Sequence, residues 1–196
     1  MDDYYENRSA EYHERTFYID PSSFLLPLEK VLSPEDSILD VGCASGRDLC
    51  WLKNHGFKAT GFERSSSLAE RARDCSGCEV IEGDFELFDF SSLKYDALVL
   101  VGTLVHIPHD RFLLIFSKIT QALSISGHVL ITLKAGKSIK HQDDGRIFYL
   151  WDDNELKHLF KNCGFSVIDF SMKESLIGSD DIWLQYVLKK VGRNEQ

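Results

Sequence analysis

The chain has 196 residues, 43% hydrophobic and 27% charged, a globular balance that excludes a disordered chain and suits one domain with a sizeable core. No apolar run approaches the ~18 residues a bilayer span needs, and the acidic, aromatic start Met1-Asp2-Asp3-Tyr4-Tyr5-Glu6 is unlike a signal peptide, so a cytoplasmic protein is expected. A formal net charge of −9 argues against nucleic acid as a partner, because polyphosphate binders carry a basic footprint.

The five cysteines form an odd set without framework spacing, which suits reduced thiols. Cys75-Ser-Gly-Cys78 has no second pair at finger-like spacing and falls at the expected end of a helix rather than at its start, so neither a metal nor a redox role is assigned to it.

In chain order, 4–18 and 22–32 read as two helices broken by Asp20-Pro21. Strand-length apolar runs at 37–41, 58–62, 79–82, 95–101 and 128–134 then alternate with helical segments at 46–55, 66–74, 110–123 and 152–163. That alternation predicts an α/β fold with a doubly wound, mostly parallel sheet, and Val99-Leu100-Val101 reads as a central strand buried on both faces. Asp110 is a plausible N-cap, Ser124-Ile-Ser-Gly127 punctuates the chain before the fifth strand, and 136–150 is a long strand-to-helix link of the kind that often carries function. Runs at 165–173 and 182–190 are joined by a segment too short for a helical crossover, which implies an antiparallel hairpin at one sheet edge.

The most informative stretch is Ile38-Leu39-Asp40-Val41-Gly42-Cys43-Ala44-Ser45-Gly46. A buried strand ends in a small-residue turn that opens a helix, so backbone amides can approach a ligand closely. Asp40 lies in the mouth of that turn, where its carboxylate would repel phosphates and attract an ammonium group. Glu63 ends the next strand, 17 residues after Gly46, where an acid can accept hydrogen bonds from ribose hydroxyls. Gly83-Asp84-Phe85 follows the third strand, with a carboxylate for an adenine amino group and a ring to cover its face.

Together these residues resemble the class I S-adenosylmethionine-dependent methyltransferase superfamily, whose Asp-x-Gly-x-Gly-x-Gly motif stands here as Asp40-Val-Gly42-Cys-Ala44-Ser-Gly46. The likeness runs on through Glu63, Asp84, Tyr95-Asp96 and Leu123-Ser-Ile-Ser-Gly127, spanning roughly residues 36 to 190, with Ala44 replacing the middle glycine. The resemblance implies a Rossmann-like, seven-stranded fold and S-adenosyl-L-methionine as cofactor. Asp40, Gly42, Cys43 and Gly46 would border its methionine part, Glu63 and Arg64 the ribose, Asp84 and Phe85 the adenine, and Val101 and Gly102 the far side. The implied organisation is a single methyltransferase domain over 1–196, with lid helices in 1–35, the cofactor core in 36–134, and the acceptor-side loop, last helix and hairpin in 135–196.

His106, directly after the fourth strand, should face the acceptor, either as a base or as an acceptor-orienting hydrogen-bond partner; a packed histidine bonded to backbone is the competing reading. His109 is read as structural. In similar methyltransferases the N-terminal segment is a lid, so Tyr12 would close the pocket and Arg15 would pair with the cofactor carboxylate, although helical stacking on the sheet also accounts for such residues. Arg146, Tyr149 and Trp151 serve equally as an acceptor wall or as loop anchors, and Asp143-Asp144 as a solvated turn. The charge balance favours small or cationic acceptors, and the expected activity is methyl transfer to N or O of a small molecule. A methyltransferase acting on RNA or protein, or a non-catalytic nucleotide-binding module, are the alternatives.

Overall fold

The computed structural model describes residues 2–191, so Met1 and 192–196 of the expected domain lie outside the described residues. The chain begins with α1 (Asp2–Asn7), α2 (Ser9–Thr16) and α3 (Ser22–Glu29). Alternation follows: β1 (Ser37–Val41), α4 (Arg47–Asn54), β2 (Lys58–Glu63), α5 (Ser66–Ser76), β3 (Val80–Glu82), β4 (Tyr95–Val101), α6 (His109–Ile119) and β5 (Leu123–Lys134). After β5 come β6 (Ile139–His141), β7 (Ile147–Tyr149), α7 (Asp153–Asn162), β8 (Phe165–Glu174) and β9 (Ile182–Lys190).

Seven strands form one sheet in the order β3-β2-β1-β4-β5-β9-β8, parallel except for β9, which is antiparallel to both neighbours. The two-residue period of the strands divides the core into two layers. Leu39, Leu98, Leu100, Val129 and Ile131 pack with Phe112, Phe116 and Phe160 of α6 and α7, while Ile38, Ala97, Val99 and Leu130 pack with Leu25, Leu28, Trp51 and Leu52 of α3 and α4. Apolar residues on both faces therefore bury the central strands completely, as the run Val99-Leu100 predicts.

Five local expectations are corrected. The single N-terminal helix over 4–18 is split at Arg8, which leaves helical angles (φ −120°, ψ 26°). No proline or glycine stands there; the break lets α1 reach α5, where Glu6 accepts hydrogen bonds from the hydroxyls of Ser65 (2.6 Å) and Ser67 (2.7 Å). Asp110 is not a cap: α6 starts a residue earlier, after Pro108, whose carbonyl receives the Arg111 and Phe112 amides (both 3.0 Å). Residues 124–127 are not a turn ahead of the strand but a bulge within β5, where the pairing with β4 jumps from Tyr95↔Leu123 to Ala97↔His128 and Ser126 takes φ 62°. The 136–150 link carries the small antiparallel ladder β6-β7, too short to stand out as a pattern of apolar residues. Within its turn Asp144 is more than solvated, since it accepts from the Arg146 guanidinium at 2.7 and 3.0 Å.

Candidate active site

β1 pairs with β2 on one side and β4 on the other, so the carboxyl end of β1 is the point where the chain's winding reverses and a crevice opens. Two adjoining cavities lie there, of about 330 and 140 Å³, and Tyr5, Tyr12, Val101 and Gly102 belong to the walls of both.

Gly42, Ala44, Glu63, Arg64 and Phe85 border the larger cavity. Gly42 has φ 76°, and a Cβ there would lie 2.8 Å from Thr103 Cγ2, so the turn admits only glycine at that point. Thr103 is fixed in turn by donating to the Val41 carbonyl at 2.6 Å. Ala44 also adopts a left-handed conformation (φ 48°), so the departure from the family's middle glycine leaves the turn in place at the cost of some backbone strain. Gly46 (φ 87°) begins α4 and sits against Ala72 of α5, where a Cβ would come within 2.9 Å of backbone.

Asp40 is 2% exposed, and its Oδ2 has no hydrogen-bond partner among the described residues. Burial, reinforced by the nearby Asp48 charge, pushes its pKa well up against the pull of the Arg47 guanidinium, and Asp40 itself borders neither cavity. Glu63 accepts from the amides of Ala44, Arg64 and Ser65, each at 2.9 Å. Burial raises its pKa against the opposing pull of those amides. One acid thus locks the β1 turn to the β2 end and keeps lone-pair capacity beyond the three bonds.

Other residues contribute differently from expectation. Cys43 is buried against Leu49, Ala69 and Ala72, so its thiol faces the core and its backbone alone is available at the turn. The Asp84 carboxylate caps its own turn through the Glu86 amide (2.8 Å) and lies 3.8 Å from Arg64 Nη1; it borders neither cavity.

Residues of α1 and α2 line this crevice. Tyr5 of α1 meets His106 Nε2 at 2.9 Å, and His106 Nδ1 meets the Ile147 carbonyl at 2.6 Å. A carbonyl only accepts, so Nδ1 carries the proton and Nε2 takes the tyrosine's hydrogen. Burial lowers the His106 pKa to about 4, which keeps the imidazole neutral at physiological pH. Arg146 lies 4.3 Å from the Tyr4 ring centroid, and Arg15 and Arg47 reach the smaller cavity. Tyr149 borders the larger cavity. Trp151 borders neither; it packs on Phe112 (centroids 4.8 Å apart) and anchors the loop. His109 bonds the Leu150 carbonyl at 2.9 Å, in keeping with its structural reading. Tyr5, Arg47 and Lys134 are wall residues that sequence reasoning did not single out. Crowding of tyrosines near the N-terminus was the only available signal for Tyr5, and the run Lys134, Lys137, Lys140 for Lys134.

The fold and the turn at β1 define a class I S-adenosylmethionine-dependent methyltransferase. Residues 10–169 match the family model described as "Methyltransferase domain", and the chain belongs to that family. A sequence search of curated proteins finds no match. Among solved structures, an S-adenosylmethionine-dependent methyltransferase from Methanosarcina mazei is similar over 84% of this chain and 97% of its own, with 17% identity and a TM-score of 0.73. The magnesium protoporphyrin IX methyltransferase from Synechocystis PCC 6803, with bound S-adenosylmethionine, is similar over 96% of this chain and 94% of its own (13% identity, TM-score 0.76). The 1,6-didemethyltoxoflavin-N1-methyltransferase from Burkholderia thailandensis is similar over 87% and 76% (16% identity, TM-score 0.71). Among the described residues no helix is long and apolar enough to cross a membrane, and no group of three or more His, Cys, Asp or Glu converges as a metal site would require.

Proposed function

We propose that the chain acts as a single domain over 1–196 that moves a methyl group from S-adenosylmethionine to an N or O atom of a small-molecule acceptor. The observation that carries the cofactor's placement is the unpartnered, buried Asp40 Oδ2 at the mouth of the glycine turn, which fits an ammonium group. Glu63 and Arg64 would take the ribose, Phe85 the adenine face, and the backbone of Gly42, Cys43 and Gly46 the methionine part. Arg15 would meet its carboxylate, Tyr12 would cover it, and Val101 with Gly102 would form the far wall. Asp84 would act on the adenine side through its turn and Arg64. The sulfonium methyl is electrophilic when bound, so the protein's own contribution is positioning and water exclusion, which can supply ~7–11 kcal/mol.

His106 serves that positioning. With a pKa near 4 it is too weak a base to hold the acceptor's proton at neutral pH, so we assign it the acceptor-orienting role. Its lone pair takes the Tyr5 hydroxyl hydrogen, and the tyrosine oxygen, which also accepts from the Arg146 guanidinium, keeps one lone pair to receive an N–H or O–H from the acceptor. Tyr149 borders the larger cavity and Arg146 the smaller, and both would bound the acceptor. Small size of the acceptor is supported by the confined cavities and by one neighbour that acts on 1,6-didemethyltoxoflavin. The acidic balance supports the same choice over nucleic acid.

Incubation with methyl-labelled cofactor and parallel pools of metabolites, RNA and protein tests this reading. Label is expected in the metabolite pool; label confined to RNA or protein would refute the small-molecule assignment.

A further inference from the structure

The two cavities differ in the charges that line them. Around the larger one, Glu63 and Glu86 balance Arg64 and Arg111. Around the smaller one stand Arg15, Arg47, Lys134 and Arg146, with no Asp or Glu among the described lining residues. Arg47 is held by Asp48 (2.6 Å) close to Asp40, and Arg15 is given above to the cofactor. Lys134 and Arg146 remain at the other end, among Phe148, Leu176, Ile177 and Trp183.

Lys134 ends β5 with its side chain 7% exposed. A buried ammonium needs counter-charge, and Asp181 provides it at 2.6 Å, but the same carboxylate also holds Lys140 at 2.8 Å. One negative charge thus serves two positive ones, of which Lys140 is 42% exposed and solvated while Lys134 stands at the wall of a cavity that no acid among the described residues lines. Burial lowers the Lys134 pKa, so the ammonium is short of the solvation that a further anion would restore. Its Nζ stands 3.7 Å from the Phe148 centroid, a cation–π contact within that wall. Arg146 is already occupied on one edge by Asp144 and adds positive potential rather than a bare charge.

We infer that the acceptor is a small organic anion, a carboxylate or phosphonate on an apolar body, whose charged group is anchored by Lys134 while its nucleophile faces Tyr5. The inference rests on the methyltransferase reading above and narrows it. The overall charge of −9 does not oppose it: repulsion from exposed acids is screened beyond a Debye length of ~8–10 Å, whereas a contact inside a buried cavity is screened far less. It keeps the small acceptor and replaces the cationic one among the expectations drawn from the net charge, which took account of the sum of the charges and not of their placement. The 140 Å³ of the smaller cavity matches about one benzene-sized body.

Benzoate, phenylphosphonate and the uncharged isostere benzamide are the probes, titrated by ligand-observed NMR into the full chain loaded with S-adenosylhomocysteine. At least one acid is expected to bind about tenfold tighter than benzamide, the stronger of the two identifying the anion type. Lys134→Met should bring that ratio close to one, Lys134→Arg should keep most of it, and S-adenosylhomocysteine affinity should hold in both. Equal binding of acids and amide by the unaltered protein would overturn the inference, as would a preference that survives Lys134→Met. If S-adenosylhomocysteine itself fails to bind, it is the methyltransferase reading that falls.

Discussion

The ends of the crevice proposed for the cofactor and for the acceptor are built by opposite means. At the cofactor end the functional groups are backbone amides and acids fixed by a local turn: Glu63 gathers three amides within two short segments, and Asp40 lies two residues from Gly42. At the acceptor end the groups meet over long separations. Tyr5 reaches His106 across 101 positions, His106 reaches Ile147 across 41, and Lys134 reaches Asp181 across 47. A shared cofactor can be held by a short, rigid, reusable piece of chain; an individual acceptor would be held by side chains that only the folded N-terminal helices, loop and hairpin bring together.

The largest expected effect falls at the cofactor end. Asp40→Asn removes a charged partner and should weaken S-adenosylhomocysteine binding by ~10–100-fold, the ~1.5–3 kcal/mol of a hydrogen bond to a charged group. Calorimetry on the variant checks this, and undiminished affinity would erase the distinction between the two ends. At the acceptor end, Tyr5→Phe keeps the ring and deletes the hydroxyl, leaving His106 Nε2 without its donor. Turnover should fall by about tenfold, near 1.4 kcal/mol, while S-adenosylhomocysteine affinity is unchanged. A loss of cofactor affinity equal to the loss of turnover would show that the ends are not separable.

The buried imidazole gives a pH test of the acceptor end. The folded pKa of His106 is about 4, below the ordinary value of 6.5, so the unfolded chain binds the extra proton first as pH falls. Its contribution is complete above about pH 6.5 and is lost between there and about pH 4, amounting to ~3 kcal/mol at most. The His106 ring resonance should titrate near pH 4 by NMR; a midpoint near 6.5 would return the residue to the role of a free base. The smallest effect is expected at the turn. Ala44→Gly relieves a left-handed alanine worth ~1–2 kcal/mol but adds unfolded-state freedom, for a net gain of about 0.5–1 kcal/mol in denaturant unfolding. A net loss would mean that the methyl group packs usefully in this turn.

The same contrast decides what could be read from the sequence. Strand alternation, the glycine turn and the β2-terminal acid are local patterns, so the parallel sheet, the terminal hairpin and the family were legible in the residues. Where local signals misled, tertiary contacts had prevailed: Glu6 on α5 breaks the N-terminal helix, and the β4–β5 pairing absorbs Ser124-Ile-Ser-Gly127 as a bulge. Cys43 was expected beside the ligand from its place in the motif, yet the turn after Gly42 and the packing of α4 on α5 send its thiol into the core. Tyr5 and Lys134 carried no pattern of their own, because a hydroxyl aimed at a histidine and a lysine sharing a carboxylate are properties of distant chain segments.

The central claim is that the mouth of β1 receives the methionine and adenosine parts of S-adenosylmethionine. Calorimetric titration of the unaltered chain with S-adenosylhomocysteine, run beside NAD, tests it most directly. Saturable one-to-one binding of the former and none of the latter is the predicted result; tighter binding of NAD, or no heat with either, would contradict it.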